Sequence, residues 1–451
     1  MMDYELRLVV EKVSVGSQEV VKRDTIKVYD VAAPESILDL GLRHEEQISL
    51  IGKVQNAVIA EQAKLIAPGY SVCPKCGHKL KKNGHTKSNF HAVFSDHMVP
   101  IQKHQCTDPE CNWQSAPTTT TVFGTNIHPD LAKLQCEQGA LHTYREAQTN
   151  LEKLNVHRRP VNNHNQVKQM TNQVGAVLAN ENLKPVAKDE CAAPAQEVIV
   201  QVDGGHLPIQ ETGKRSFEAL SAVVYRPENI REIDNHHREI EDKSCVMSAL
   251  DDQLATIKTY VLNAAHQQGM TQQTKVTALA DGAHNCWSII SSLVPHCHEL
   301  ESILDWFHIG QKFQTVKNAL GDTFEDSLER AKWKLWHGKV DEALLKLDLL
   351  KSNVTDEKKQ SKLNGLYKYI KCNKEHIVNY DERKRANQTY TSQVAESHIE
   401  AVINARHKSS GKMQWTREGA HNVLQIRAII TSKNWENRWQ GAVLSALSKA
   451  A

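Results

Sequence analysis

Two aspartates stand where the chain leaves an apolar run. Val198-Ile-Val-Gln-Val202 leads into Asp203-Gly-Gly, and Val276-Thr-Ala-Leu-Ala280 leads into Asp281-Gly. In open α/β sheets the carboxyl ends of strands are where side chains can meet in a crevice. A carboxylate there loses hydration unless it is paired or bound to a cation. Asp-Gly after a strand is also a common turn, so each aspartate carries little alone. A third acid that could join them is Glu396, where Ala395, Ile399, Val402 and Ile403 form the apolar stripe of a helix. Glu400 lies one turn further on, and helical geometry does not choose between the two. Carboxylates converging from distant points are hard oxygen ligands of the kind that suit Mg2+ or Mn2+.

A second set is sulfur-based. Cys73-Pro-Lys-Cys76 and Cys106-Thr-Asp-Pro-Glu-Cys111 are two paired-cysteine turns. Zinc takes four such ligands tetrahedrally at about 2.3 Å, and a site closed by four protein ligands is structural. Gly77 suits the turn behind the first pair. Four unconnected buried cysteines are the alternative, and His78, His85 and His104 are near enough in sequence to replace one ligand. Lysines 75, 79, 81, 82 and 87 crowd the same stretch and could neutralise phosphates, or simply face water.

The elements that must position these groups follow from the hydrophobic pattern. Alternation over residues 4–31 predicts two strands, and a helical period covers 35–66. A compact, cysteine-bearing module spans 69–125. Three helical stretches occupy 126–182, with a Pro- and Ala-rich linker at 183–196. From 197 to 430 short strands alternate with helices, interrupted by a polar helical block at about 311–390. Residues 431–451 read as a tail, and 1–68 as a strand and helix region without an assigned role. Between 144 and 178, helix, short turn and helix carry Arg158 and Arg159. This could be a helix-turn-helix whose second helix enters a DNA groove, or a plain helical connector. Arg406, Lys408 and Trp415 cluster after Glu396. They could grip phosphates and stack on an unpaired base, or form an ordinary surface with the indole in the core.

Bulk properties limit the class. The chain has 451 residues, 40% hydrophobic and 24% charged, with a formal net charge of +2. That is a folded protein of several domains, and any basic surface must be local. No leader-like start and no run of roughly 18–20 apolar residues is present. The expectation is a soluble cytoplasmic protein, nucleoid-associated when bound to DNA, without membrane contact. A metal site is expected in preference to disulfides.

Taken in order, four motifs resemble the DDE insertion-sequence transposases of the ISKra-type group, and more distantly the Mutator-like transposases. They are Val202-Asp203-Gly204; Ala280-Asp281-Gly282-Ala283; Asp305-Trp306-Phe307-His308; and Glu396-Ser397 continuing through Arg406-x-Lys408, Gly411-Lys-Met413-Gln-Trp415 and Gly419-Ala420 to Leu424-x-x-Arg427. The resemblance covers about residues 70–430. It implies a multidomain α+β protein: a zinc-ribbon-like module and a helix-turn-helix-like region, then an RNase H-like α/β catalytic domain with an all-helical insertion. It implies Asp203, Asp281 and Glu396 as a triad holding two Mg2+ or Mn2+ ions, and so favours Glu396 over Glu400. Asp305 would be a supporting element and His308 a catalytic or supporting one, with a hydrogen-bonded core histidine as the alternative. The implied activity is strand cleavage at transposon ends and 3′-hydroxyl transfer into target DNA, with self-association in a synaptic complex. Another RNase H-like nuclease, of resolvase or repair type, and a catalytically silent transposase-derived DNA-binding protein are the competing readings.

Overall fold

The computed structural model describes residues 4–66, 70–233, 238–392, 403, 405–408 and 413–449, of which residues 448 and 449 by backbone alone. The chain forms two compact units, Met1–Thr171 with Trp439–Ala451, and Asn172–Arg438.

In the first unit, β1 (Tyr4–Val13) and β2 (Val20–Val31) pair as an antiparallel ribbon, as the alternation predicts. Helix α1 (His44–Gln62) follows, its Ile59 joining Ala63, Val99 and Ile101 in a small apolar cluster. Strands β3 (Leu80–His91) and β4 (Asp96–Cys106) form the hairpin of the cysteine module. Helices α2 (Thr119–Phe123), α3 (Pro129–Leu141), α4 (Tyr144–Glu152) and α5 (His164–Asn182) come next. Pro129 occupies the first turn of α3, where its missing N–H costs no helical bond. A Cβ on Gly139 of α3 would stand 2.2 Å from Thr171 Oγ1 of α5. Only glycine therefore permits this close helix crossing.

The second unit is built on a mixed five-stranded sheet. Its strands are β5 (Glu197–Pro208), β6 (Ser216–Tyr225), β9 (Ser244–Ser248), β10 (Lys275–Ala280) and β11 (Glu299–Leu304), in the order β11-β10-β5-β6-β9. A minor hairpin, β7 (Ile230–Glu232) with β8 (Arg238–Ile240), lies between β6 and β9 in the chain. The meander β5-β6-β9 is antiparallel, while β10 runs parallel to both β5 and β11. Parallel neighbours need crossovers, and α6 (Ala255–Gln267) and α7 (His284–Ser291) supply them. Val198, Val200 and Val202 of β5 pack with Val276, Ala278 and Ala280 of β10 against Ile257, Val261, Ile289 and Ile290 of these helices. The alternate residues Ile199, Gln201, Leu279 and Ile303 are buried too. Coverage of both faces explains why the strands read as nearly continuous apolar runs.

The helical block is α8 (Trp306–Leu320), α9 (Glu325–Trp336), α10 (Val340–Ser352), α11 (Glu357–Cys372) and α12 (Tyr380–Arg385). Helix α13 (Arg417–Thr431) is buried continuously from Ala420 to Ile429. It is fixed to β9 by Gln425 Nε2, which donates to the Met247 carbonyl at 2.9 Å, and by Ser432 Oγ, which accepts from Cys245 N at 2.9 Å. Among the described residues, no helix is long and apolar enough to cross a membrane.

Several sequence boundaries shift. The division between units falls inside α5, so the linker at 183–196 belongs wholly to the second unit. The expected tail is helical instead: α14 (Trp435–Arg438), a π-turn at Trp439–Val443 and α15 (Leu444–Lys449). Trp439, Val443 and Leu447, spaced one turn apart, are buried. Strand β9 has no sequence signature because five residues are too few to show a period.

His421 in α13 is 3% exposed, and its Nδ1 accepts from Ala249 N at 3.4 Å. Burial lowers its pKa from 6.5 to about 4, against the weaker opposite pull of Asp252. The folded pKa lies below the unfolded one, so the stabilisation is complete above about pH 6.5 and is lost as the pH falls toward about 4. The urea midpoint should fall across this window by the equivalent of about 3 kcal/mol. His421→Gln should flatten that slope, and an unchanged slope in the variant would refute the assignment.

Candidate functional site

Register brings the acids together. Val202 of β5 pairs with Ala280 of β10, and Ala280 pairs with Leu304 of β11. Asp203, Asp281 and Asp305 are the residues that follow these three. They therefore stand at one level on three adjacent parallel strands: Asp281 and Asp305 follow the ends of β10 and β11, whereas Asp203 lies within β5, which does not end there as its sequence suggests but runs on to Pro208 paired with β6. Together with His308 and Ser392 they line one small cavity.

Each acid is held locally. Asp203 Oδ1 accepts from Gly204 N at 2.8 Å, and Asp281 Oδ1 accepts from Ala283 N at 2.8 Å. The Asp281 turn is gripped by the helical block: Tyr369 Oη donates to the Asp281 carbonyl at 2.8 Å, and Trp287 Nε1 donates to Asn373 Oδ1 at 2.8 Å. Gly282 has φ +95°, and a Cβ there would meet Asn373 Nδ2 at 2.8 Å and Tyr369 Cε2 at 2.9 Å. Glycine is required both by the backbone angle and by the approach of α11. Asp305 is 1% exposed and caps α8 by accepting from Phe307 N at 3.1 Å. His308 Nε2 stands 3.6 Å from Asp305 Oδ2.

Burial raises the pKa of Asp203, and the charges of Asp281 and Asp305 raise it further; His308 and the Gly204 N–H act in the opposite direction. A divalent cation would relieve this crowding of like charges. The donor set is all oxygen and fits a hard cation. Among the described residues, sets of three or more ligand atoms within 4.8 Å of one another occur only around the cysteines. Asp203 and Asp281 supply two carboxylates. The third expected acid, Glu396, lies outside the described residues, as do Glu400, Ser397, Gly411 and Lys412.

The four cysteines form such a set. Cys73, Cys76, Cys106 and Cys111 place their sulfurs within 4.8 Å of one another. Cys73 and Cys111 sulfurs are 3.8 Å apart, and those of Cys76 and Cys106 are 3.3 Å apart. Four thiolates at about 2.3 Å from a tetrahedral ion would be roughly 3.8 Å from one another, so the cluster could hold a metal. Gly77, at φ +75°, donates from N to the Cys73 carbonyl at 2.8 Å and closes the first turn. His78, with Asp108 and Cys76, forms an overlapping set. His85 and His104 belong to neither.

The basic residues divide. Arg158 is exposed and reaches Glu152 at 3.2 Å, and Lys408 is exposed. Arg159 is not a surface group. It is 7% exposed, pairs with Asp96 at 2.5 Å, and donates to the carbonyls of Ala92, Val93 and Ser95. The expectation that it contacts DNA gives way to a role as a staple between the β3–β4 hairpin and the chain after α4. Arg406 and Trp415 are likewise interior, at 0% and 4% exposure, with the guanidinium 4.9 Å from the indole centre. The Trp415 backbone bridges to Ile209 beyond β5, which draws the indole into the core. Neither can grip a phosphate or stack on a base in this arrangement.

Ser392, Tyr369 and Asn373 are site residues that sequence reasoning missed. Their partners lie 86 to 88 positions away, and no local spacing announces such contacts.

Two outcomes follow from these contacts. Arg159→Ala removes a donor shared by Asp96, which keeps His91, and by the carbonyls of Ala92, Val93 and Ser95, and should cost about 2 kcal/mol in urea unfolding. An unchanged midpoint would show that the staple carries no stability. For the cysteines, metal content measured by elemental analysis should disappear in Cys106→Ser and persist in Cys191→Ser. Equal content in both variants would exclude the cluster as the binding site.

No curated protein matches the chain. A family model described as "Uncharacterised protein family (UPF0236)" matches residues 127–440, which include Asp203, Asp281, Asp305 and His308. That span is more than half of the sequence, and the chain belongs to this family.

Proposed function

We propose that this chain is a DNA transposase of the DDE type, cleaving at transposon ends and joining the freed 3′-hydroxyl to target DNA. The observation that carries the reading is the shared register of Val202 and Ala280, from which Asp203 and Asp281 emerge side by side into one cavity. An antiparallel meander extended by two parallel strands through helical crossovers is compatible with the RNase H-like domain that the resemblance implies, and supports the reading. Helices α8–α12, between Asp305 and Ser392, stand where the resemblance expects an all-helical insertion. Ser392 lines the cavity, and Glu396 follows it by four residues.

Two Mg2+ or Mn2+ ions, when bound, would activate a water or a 3′-hydroxyl and stabilise the leaving oxygen. Asp203 and Asp281 would hold them with Glu396. The Gly204 and Ala283 amides fix the two carboxylates so that they are oriented before substrate arrives. His308, beside Asp305, forms part of the cavity wall. The cysteine set would hold a structural Zn2+ in a zinc-ribbon-like module, and exposed lysines 75, 79, 81 and 82 on that module would meet phosphates without sequence preference. Partners are DNA ends, target DNA and a second copy of the chain in a synaptic complex, in the cytoplasm.

The test is metal-dependent cleavage of a labelled terminal-repeat duplex. Asp203→Asn, Asp281→Asn and Glu396→Gln should each lower cleavage by at least about 100-fold while end binding persists. Near-normal cleavage by all three would sink the proposal. Cleavage without 3′-hydroxyl joining would indicate a nuclease of resolvase or repair type. Binding without cleavage in the unaltered chain would indicate a silent DNA-binding descendant.

A further inference from the structure

Asp305 shares the level of the two aspartates just described. It follows Leu304, which pairs with Ala280, and its own N–H donates to the Ala280 carbonyl at 3.0 Å. By position alone it would be a third carboxylate ligand. Its surroundings argue otherwise. Oδ1 accepts from Phe307 N at 3.1 Å and from Ser392 N at 3.0 Å, and Oδ2 accepts from Ser392 Oγ. An ionised carboxylate has about four acceptor positions. Three are filled by protein donors, and His308 stands beside the remaining side. A cation could reach Asp305 only by displacing donors that a 1% exposed carboxylate requires.

The Ser392 contact is the last of a series. Arg383 pairs with Glu301 through Nη1, and its Nε donates to the Thr389 carbonyl at 2.9 Å. Tyr380 Oη donates to the Leu304 carbonyl at 2.7 Å, and Trp306 N donates to the Tyr390 carbonyl at 3.4 Å. The chain returning from the helical block is thus fastened along the end of β11. Ser392, the furthest of these contacts along the chain among the described residues, forms part of the cavity wall.

We propose that Asp305 is a positioning residue: it clamps Ser392, and with it the returning chain, against the acid-bearing end of the sheet, and is not itself a metal ligand. This rests on the reading of Asp203 and Asp281 as a cation site. The clamp acts through the Asp305 carboxylate and the Ser392 hydroxyl together, so removing either partner should have the same effect.

The experiment measures Mn2+ binding by full-length protein, with Zn2+ supplied beforehand to the cysteine cluster, from the electron paramagnetic resonance signal of free Mn2+. Asp203→Asn should abolish binding. Asp305→Asn and Ser392→Ala should each weaken it about tenfold, as loss of a ligand-orienting contact does. The double variant should be no weaker than either single one, because both changes remove one shared contact. Ser392→Thr, which keeps the hydroxyl, should restore affinity; this arm decides the matter if Asp305→Asn fails to fold. Loss in Asp305→Asn as complete as in Asp203→Asn, with Ser392→Ala unaffected, would make Asp305 a ligand and overturn the proposal. Unchanged affinity with only a lower melting temperature would leave Asp305 as a helix cap and overturn it equally. Mn2+ binding that survives Asp203→Asn would remove the cation site itself and the clamp's purpose with it, a result distinct from the other two.

Discussion

The parallel pairing of β5 with β10 and of β10 with β11 is the constraint on which the second unit depends. Because these parallel strands share direction and register, the aspartates that follow the paired residues Val202, Ala280 and Leu304 crowd together at one level, although β5 itself continues to Pro208. That crowding is unfavourable: burial and two neighbouring negative charges all push the Asp203 pKa upward. A sheet that merely needed polar caps would not gather three acids at one edge. The chain tolerates the repulsion through backbone amides, which bind one oxygen of Asp203 and one of Asp281, and through the donors that enclose Asp305.

The helical block is part of this solution. Tyr369 of α11 and Asn373 at its C-terminal cap approach so closely that residue 282 must be glycine, and Tyr369 holds the Asp281 carbonyl. Tyr380 and Arg383 of α12 hold the end of β11. The block is inserted between β11 and Ser392 in sequence, yet its contacts converge on the turns that carry Asp281 and Asp305. A mutation deep in α11 would therefore be felt at the acids before it was felt in the sheet.

In the first unit a buried guanidinium has the corresponding place. Arg159 satisfies three carbonyls and Asp96 at the turn that joins β3 to β4. Burial alone would raise the Asp96 pKa, but His91 and Arg159 outweigh it and hold the carboxyl well below its usual range. The same hairpin carries the cysteine turns. Its Val99 and Ile101 pack with Ile59 and Ala63 of the preceding helical segment, and Leu80 packs against the buried cysteines.

The sequence by itself determined what is local or periodic. The runs before Asp203 and Asp281 show as apolar strands because both of their faces are buried. The cysteine turns show by spacing, and the helices of the block by their 3.6-residue period. Tertiary structure alone decided which of the singled-out side chains reach a common place. Asp305 and Ser392 meet across 87 positions, a contact that no periodicity encodes. Arg159 and Arg406 read as surface groups because their charge suggests nucleic acid, yet they lie inside; for Trp415 the sequence left stacking on a base and a place in the core both open, and the fold puts it in the core. A guanidinium or an indole can be buried wherever carbonyls, a carboxylate or another ring meet it, and only the folded chain reveals whether those partners are there.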